Sequence, residues 1–301
     1  MNKNELHDFI TERQPNICQI TAIKDGREVY SDTWNDYTES DCVHVMSVTK
    51  SVMALLIGIA LDKGQIGGVN DKVLDYFPEY KVKRGEKTIY DVTIKHLLTM
   101  RAPYKGKGDP WSKVCSSENW TYTSLDFLGG RKGLNDQFCY SKIYNAKSAE
   151  EHREFTISKL PKENVWFSDR QGLGTPGYGL CFCARDMARL GLLCLNKGMY
   201  EGKRIVSQAW IEEMTNARKV EGKHFRGMDY GYLWWIVDSD KKIYAAIGNS
   251  GNVIYVNPEK NLVVAVASYF KPTIFDRVDF IRDHIEPFVE ELFFCSKSDR
   301  I

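Results

Sequence analysis

The feature that most constrains the fold of this chain is a series of four apolar runs between residues 230 and 270. The runs "YGYLWWIVD", "KKIYAAIG", "NVIYVNPEKN" and "LVVAVASYF" are rich in β-branched and aromatic residues, which favour strands. Short polar turns separate them, and Asn257-Pro258 marks one of these turns. Consecutive strands joined by short turns pair antiparallel, so we predict an antiparallel sheet from these runs.

A second strand pair is predicted near the other end of the chain. The segment "CQITAIKDGREVYSDTW" alternates apolar and polar residues around Asp25-Gly26, which is typical of a tight hairpin. Amphipathic helices are predicted in "ARDMARLGLLCLNKG" and "VSQAWIEEMTNA", and "FDRVDFIRDHIEPFVEELFF" is helical with a kink or break at Pro287. The simplest fold class is α+β, in which one antiparallel sheet built from both chain ends is flanked by helices and carries a mostly helical inserted region. We assign residues 1–75 and 222–301 to the discontinuous sheet domain and residues 76–221 to the inserted region.

The composition argues against several classes of function. With 301 residues, of which 43% are hydrophobic, the chain can bury a large core. Lys and Arg total 41 against 40 Asp and Glu, and a net charge of +1 gives no basis for a nucleic-acid or anionic-membrane partner. The charged N-terminus lacks the apolar stretch of a signal peptide, and the longest apolar run, residues 52–61, is well short of the ~20 residues that span a bilayer. We therefore expect a soluble, cytoplasmic protein.

Eight cysteines are present, and several stand in apolar context, as in "GLCFCARDMARLGLLCL". In a chain of this length, buried reduced thiols fit that context better than a disulfide framework does. Cys181 and Cys183 are not at a zinc spacing, and no histidine cluster accompanies them. No metal site is therefore predicted.

A Ser-x-x-Lys pattern occurs at residues 47–50, 239–242 and 268–271, so the pattern alone carries little information. Only the first copy opens a helix, in "VHVMSVTKSVMALLIGIALDKG", where residues three apart share a face. There a neutral Lys50 amine can take the proton of the Ser47 hydroxyl as it attacks a carbonyl, which requires a pKa roughly 3 units below the usual value. The helix N-terminus also offers backbone N–H groups to a developing oxyanion. The alternative is that Ser47 and Thr49 are cap residues of the helix and that Lys50 extends to solvent.

The stretch "HVMSVTKSVMALLIGIALDKGQI" resembles the first motif of the serine β-lactamase and penicillin-binding protein superfamily, in the class C-like branch that includes esterases and 6-aminohexanoate-dimer hydrolases. Further segments are similar to that branch in the same order: "VTIKHLLTMRA", "GYGLCFCARDMARLGLLCLNKGMYEGKRIVSQAWIEEMT", "YGYLWWI" and "IGNSGNVIYVNPEKNLVVAVAS". The resemblance extends from about residue 20 to about residue 270 and is weak only between about 104 and 164. It implies a β-lactamase-like fold with Ser47 as nucleophile and Lys50 as its base.

The second motif of that superfamily is Tyr-x-Asn after a Phe-x-Tyr pattern, and "FCYSKIYN" is its counterpart in this chain. By resemblance, Tyr140 is the phenol that exchanges a proton with Lys50, while Lys142 stands where Asn is usual. Tyr144 is a rival for the phenol role, although the position of Asn145 directly after it does not fit the motif. The segment that follows Tyr140 is shorter than its counterpart in the superfamily.

The third motif of the superfamily lies on a strand beside the serine, and "IGNSGN" is the matching segment. It supplies Asn249, Ser250 and Gly251, where a small residue lets the strand approach the acyl group closely. The resemblance implies that the backbone N–H groups of Ser47 and Asn252 form the oxyanion hole.

Two other patterns favour structural roles. His96 lies within "IKHLLTM" at a position that we interpret as structural rather than catalytic. The segment "GLGTPG" spells the dinucleotide fingerprint, but no strand precedes it and Pro176 stands where the helix should begin. We therefore interpret this segment as a loop that borders the active site.

Together these patterns predict a serine hydrolase that acts through an acyl-enzyme on a small-molecule ester, amide or β-lactam, with no cofactor or metal. Esters and small amides rank first, because Asn249 replaces the cation that holds a substrate carboxylate in β-lactamases and peptidases, and Lys142 would restore one only from another direction. A true β-lactamase or D-alanyl-D-alanine carboxypeptidase is an alternative. A non-catalytic binding or sensor protein with the same fold is the alternative of another class. The oligomeric state is not predicted.

Overall fold

The structure, a computed structural model, describes residues 1–102, 118, 120–128, 163–172, 174–220, 226–271 and 273–298. Its strands are β1 (Ile17–Lys24), β2 (Arg27–Thr33), β3 (Val43–His44), β4 (Cys181–Phe182), β5 (Met199–Tyr200), β6 (Lys203–Arg204), β7 (Asp229–Tyr230), β8 (Trp235–Asp238), β9 (Ile243–Gly248), β10 (Asn252–Asn257) and β11 (Leu262–Ser268). Within these ranges the main sheet has seven strands, and every neighbouring pair is antiparallel.

The order of strands in this sheet is β2-β1-β11-β10-β9-β8-β7. The N-terminal hairpin β1–β2 thus pairs with β11, which confirms the prediction of one antiparallel sheet made from both chain ends. At the hairpin turn, Asp25 and Gly26 both have positive φ, 49° and 73°, as a two-residue turn matched to the strand twist requires. β10 and β11 are buried along their whole length, which explains why "LVVAVAS" is apolar almost without interruption.

Helices cover both faces of the sheet. They are α1 (Lys3–Arg13), α2 (Val48–Asp62), α3 (Ile94–Leu98), α4 (Trp120–Phe127), α5 (Ala184–Leu195), α6 (Gln208–Met214), α7 (Val278–Phe280) and α8 (Glu286–Ser298), with 3-10 turns at Val73–Tyr76 and Thr88–Asp91. One core joins the sheet to α2, α5 and α6, and the other joins it to α1 and the C-terminal helix. Alternate residues of β11 enter alternate cores, with Val263 and Ala265 in the first and Val264 and Val266 in the second.

In the part of the chain that the structure describes, no helix is both long and apolar enough to cross a bilayer. The sequence predicts buried thiols, and five cysteines in the described part of the chain are buried and form no disulfide bond there: Cys18, Cys42, Cys181, Cys183 and Cys194.

The assignment of residues 76–221 to a separate inserted region stays a prediction, but α5 lies within those residues and packs directly on the sheet. A Cβ added at Gly191 would lie 2.5 Å from Val263 Cγ1 and 2.8 Å from Ile254 Cγ2. Glycine at this position therefore allows α5 to approach β10 and β11 closely.

Two local details differ from the sequence prediction. The run "YGYLWWIVD" forms two strands, because a bend separates β7 from β8 and Leu233 within it has a φ of 58°. A tertiary contact holds the bend, in which the Leu233 N–H donates to the Leu98 carbonyl at 2.9 Å. Of the kink or break predicted at Pro287, only the break is excluded, since a π-helical turn, Ile281–Ile285, joins α7 to α8 just before it. A proline lacks the N–H of a regular turn, and the wider turn accommodates that loss.

Candidate active site

Ser47 and Lys50 contact each other at the N-terminal end of α2. Lys50 Nζ donates to Ser47 Oγ at 2.8 Å and to the Gly177 carbonyl at 2.6 Å. Ser47 directly precedes the first residue of α2, and its hydroxyl makes no capping hydrogen bond. The alternative interpretation, in which Ser47 caps the helix and Lys50 extends to solvent, is therefore wrong.

The surroundings of Lys50 favour its neutral form. Burial lowers the pKa of Lys50 to about 8, because an ammonium removed from water loses its hydration. The two hydrogen bonds of Lys50 do not compensate for the lost hydration of the ammonium, because neither acceptor carries a negative charge: one is a hydroxyl and the other a carbonyl. A basic amine thus lies within hydrogen-bond distance of a hydroxyl that is itself buried, with 3% of Ser47 exposed.

The backbone turn before α2 presents Ser47. Met46 has a φ of 52°, in the left-handed region that a residue with a side chain adopts at a cost. Thr49 stabilises this conformation of Met46, because its Oγ1 donates to the Met46 carbonyl at 2.7 Å and accepts from the Leu180 N–H at 3.2 Å. The turn that aims the Ser47 hydroxyl is therefore fixed by Thr49 and by β4 and its flanks rather than by Ser47 itself.

The end of β9 passes directly over this turn. A Cβ added at Gly248 would lie 2.2 Å from the Val45 carbonyl oxygen and 3.1 Å from the Ser47 nitrogen. Glycine at position 248 is therefore the small residue that brings the strand against the serine. The next residue, Asn249, has a half-buried side chain and a backbone N–H with no hydrogen-bond partner within the described ranges.

The other residues of the predicted third motif make contacts away from the Ser47 hydroxyl. The carbonyls of Ser250 and Gly251 accept hydrogen bonds from Arg277 Nη1, at 2.8 Å and 3.3 Å. Asn252 pairs with Gly248 across the strands, and its side chain donates to the Asn249 carbonyl at 2.9 Å. The predicted role of the Asn252 N–H as an oxyanion donor stays a prediction.

Comparison with known proteins gives the family. The profile of the Beta-lactamase family matches residues 18–283. This protein belongs to the β-lactamase family. A relative, the 6-aminohexanoate-dimer hydrolase of Paenarthrobacter ureafaciens, is 24% identical, and the match covers 81% of this chain and 70% of the relative.

Solved structures show the same fold at low sequence identity. A family VIII carboxylesterase has a TM-score of 0.61 and 16% identity, covering 97% of this chain and 96% of that one. An octameric penicillin-binding protein homologue from Pyrococcus abyssi has a TM-score of 0.59 and 19% identity, covering 90% of this chain and 74% of that one. The family and α+β fold expected from the sequence are therefore confirmed.

Three residues predicted for the pocket of this β-lactamase-family protein lie outside the described residues. They are Tyr140, its rival Tyr144, and Lys142, and their roles stay predictions. The loop "GLGTPG" does reach the site, since the Gly177 carbonyl in it accepts from Lys50. His96 has a structural contact, because its Nδ1 accepts from the Thr93 N–H at 3.0 Å where α3 begins.

Sequence reasoning missed His44, three residues before Ser47. This residue is 5% exposed, and its ring packs on Phe167 and Tyr178 at centroid distances of 5.3 and 6.0 Å. Neither ring nitrogen has a hydrogen-bond partner in the described part of the protein. Burial lowers the pKa of His44 to about 4, so the ring is neutral at physiological pH. His44 belongs to β3, and a local pattern reveals neither the pairing of β3 with β4 nor the rings of Phe167 and Tyr178 that cover this histidine.

Proposed function

We propose that this protein is a serine hydrolase that cleaves carboxylic esters or small amides through an acyl-enzyme on Ser47. One observation carries the proposal, namely the contact of 2.8 Å between the Ser47 hydroxyl and a lysine amine whose pKa burial lowers to about 8. Relatives named as a 6-aminohexanoate-dimer hydrolase and as a carboxylesterase support hydrolysis as the reaction class. The non-catalytic alternative offers no reason to bury a lysine against this serine.

In the acylation step, Ser47 Oγ attacks the substrate carbonyl carbon while the neutral Lys50 amine takes the hydroxyl proton. The tetrahedral intermediate then collapses, the bond to the leaving group breaks, and the leaving oxygen or nitrogen receives the proton from Lys50. The predicted phenol of Tyr140 would relay that proton. In deacylation, water attacks the ester of Ser47, Lys50 takes its proton, and the carboxylic acid leaves as Ser47 Oγ is protonated again.

The oxyanion hole in this proposal consists of the backbone N–H groups of Ser47 and Asn249. Support comes from Gly248, where an added Cβ would lie 3.1 Å from the Ser47 nitrogen, because the Asn249 N–H is the next one along the chain. The Asn249 N–H has no partner in the described ranges, whereas Asn252 belongs to a paired strand. Asn249 thus replaces Asn252 as the preferred second donor.

The side chain of Asn249 supports a preference for substrates without a carboxylate. Asn249 directly follows β9, and its side chain is an uncharged amide that cannot form an ion pair with a substrate carboxylate. Penicillins and D-alanyl peptides carry that carboxylate, so they rank behind simple esters and small amides as substrates.

Steady-state hydrolysis tests the proposal. We expect turnover of p-nitrophenyl acetate by the wild type and loss of at least about 10³-fold in kcat/KM for Ser47→Ala. The matched control is Ser239→Ala, which alters the exposed serine of another Ser-x-x-Lys pattern and should keep full activity. Hydrolysis of benzylpenicillin at a rate equal to that of the ester would contradict the substrate preference, and ester turnover that survives in Ser47→Ala would contradict the mechanism.

A further inference from the structure

A buried arginine lies beneath the turn that joins β9 to β10. Arg277 is 3% exposed. Its guanidinium donates to Gln14 Oε1 (3.1 Å), Asn16 Oδ1 (2.5 Å), Ser268 Oγ (2.8 Å) and the carbonyls of Ser250 (2.8 Å) and Gly251 (3.3 Å). Every one of these acceptors is neutral, and no carboxylate in the described part of the chain forms an ion pair with Arg277.

A cation in this position costs stability. Burial lowers the pKa of Arg277 to about 10, which still leaves it charged at neutral pH. A buried charge without a partner of opposite sign is expensive, and an apolar side chain of similar volume would avoid that cost. Two of the five acceptors, the Ser250 and Gly251 carbonyls, lie in this turn, and a third, Asn16, also donates to the Ser250 carbonyl through its Nδ2 at 3.0 Å. These contacts indicate that the guanidinium holds the turn in place.

That turn is strained and tightly held. Ser250 and Gly251 have φ values of 73° and 77°, and such a conformation is unfavourable for serine. The Ser250 N–H donates to the Ile274 carbonyl at 2.7 Å, and Ser250 Oγ accepts from the Lys271 N–H at 2.8 Å. A Cβ added at Gly251 would lie 2.1 Å from Arg277 Nη1, so the guanidinium fills the space under the turn.

The contacts continue from the turn to the candidate active site. Asn252 Nδ2 donates to the Asn249 carbonyl, and Asn252 Oδ1 accepts from the Ser268 N–H at 2.9 Å. Ser268 in turn accepts from Arg277 through its hydroxyl. Both ends of the segment that contains Asn249 are thus fixed, one by Gly248 against Ser47 and the other by the network around Arg277.

We propose that Arg277 is a positioning residue for acylation, which holds the turn 249–252 so that the Asn249 N–H stays directed at the substrate oxyanion. This inference rests on the proposed serine-hydrolase function. Small displacements of an oxyanion donor reduce the rate of the chemical step more than they reduce ground-state binding. Replacement of Arg277 should therefore lower kcat while KM changes little.

The experiment compares the acylation of wild type, Arg277→Met, Arg277→Lys and the control Arg282→Met by p-nitrophenyl acetate. Arg282 is an exposed arginine in the π-helical turn, five residues after Arg277. For Arg277→Met we expect a loss of about 10- to 100-fold in the acylation rate constant, with KM within about twofold of wild type. Arg277→Lys should recover part of the rate, and Arg282→Met should keep all of it.

Two further measurements separate positioning from general stability. All rates are taken at a temperature where circular dichroism shows every variant to be folded, and the pH midpoint of acylation should stay at its wild-type value because Lys50 is intact. If Arg277→Met does not fold, Ser268→Ala, which removes one acceptor of the network, should lower the rate at least about threefold. Folded variants that acylate at the wild-type rate would overturn this inference alone, whereas a wild type never acylated on Ser47 would overturn the proposed function as well.

Discussion

The pH dependence of acylation follows from the burial of Lys50. Only the neutral amine can take the Ser47 proton, and with a pKa of about 8 roughly 9% of it is neutral at pH 7 and roughly 91% at pH 9. The acylation rate constant for p-nitrophenyl acetate should therefore rise about tenfold between these pH values and level off above pH 9. A lysine with the ordinary value of 10.5 would instead give a rise of about 100-fold over this range with no plateau.

Stopped-flow release of p-nitrophenolate measures this dependence at constant ionic strength. The rate of Ser47→Ala at each pH is subtracted, which removes the contributions of hydroxide and of surface nucleophiles. A rate that still increases tenfold per pH unit above pH 9, or a flat profile between pH 7 and 9, would refute the assignment of Lys50 as the base.

The burial of Lys50 also lowers the stability of the folded state when its amine is protonated. Its folded pKa lies below the unfolded value of 10.5, so protonation favours the unfolded state. The cost is absent above pH 10.5, grows as the pH falls, and is complete below about pH 8, where it amounts to at most about 3 kcal/mol. Lys50→Met should thus lose acylation and, relative to wild type, gain stability to urea at pH 7 that disappears near pH 10.5. An equal stability difference at both pH values would contradict the argument.

Three further predictions concern single residues. Gly248→Ala should lower acylation at least about tenfold and cost about 1–3 kcal/mol in urea unfolding, since the new Cβ would overlap the Val45 carbonyl; unchanged kinetics would refute the close approach. Because the pKa of His44 drops from 6.5 to about 4, acid should cost wild type up to about 3 kcal/mol between those pH values, and His44→Phe should escape this loss. Glu286→Ala should cost about 1–3 kcal/mol in urea unfolding, because buried Tyr255 loses its acceptor, and leave the acylation rate unchanged.

The sheet could be predicted because its signals are local. The runs of β-branched residues, the Asp25-Gly26 turn and the short polar connections each indicate strands that are neighbours. The observed strand pairing and burial agree with them. The bend at Leu233 could not be found in this way, since it depends on a hydrogen bond to Leu98, far away in the sequence. The residues on both sides of the bend are apolar and favour strands, so the sequence pattern does not indicate an interruption.

The candidate active site likewise has residues that could be predicted from the sequence and residues that could not. Ser47 and Lys50 could be paired because both lie within one helical turn, where spacing determines proximity. The roles of Gly248, Arg277 and His44 depend on which strands and loops meet, which no single segment encodes. The pattern "IGNSGN" contains two glycines, and without the structure nothing shows that the first lies against Ser47 and the second against Arg277.

The most direct test of the account is the mass of the intact protein after brief mixing with p-nitrophenyl acetate and an acid quench, followed by peptide mapping. We predict one acetyl group on Ser47 in the wild type and none at that position in Ser47→Ala, with Ser239→Ala labelled as the wild type is. An unmodified wild type under conditions in which it releases p-nitrophenolate, or an acetyl group on any residue other than Ser47, would contradict the acyl-enzyme mechanism.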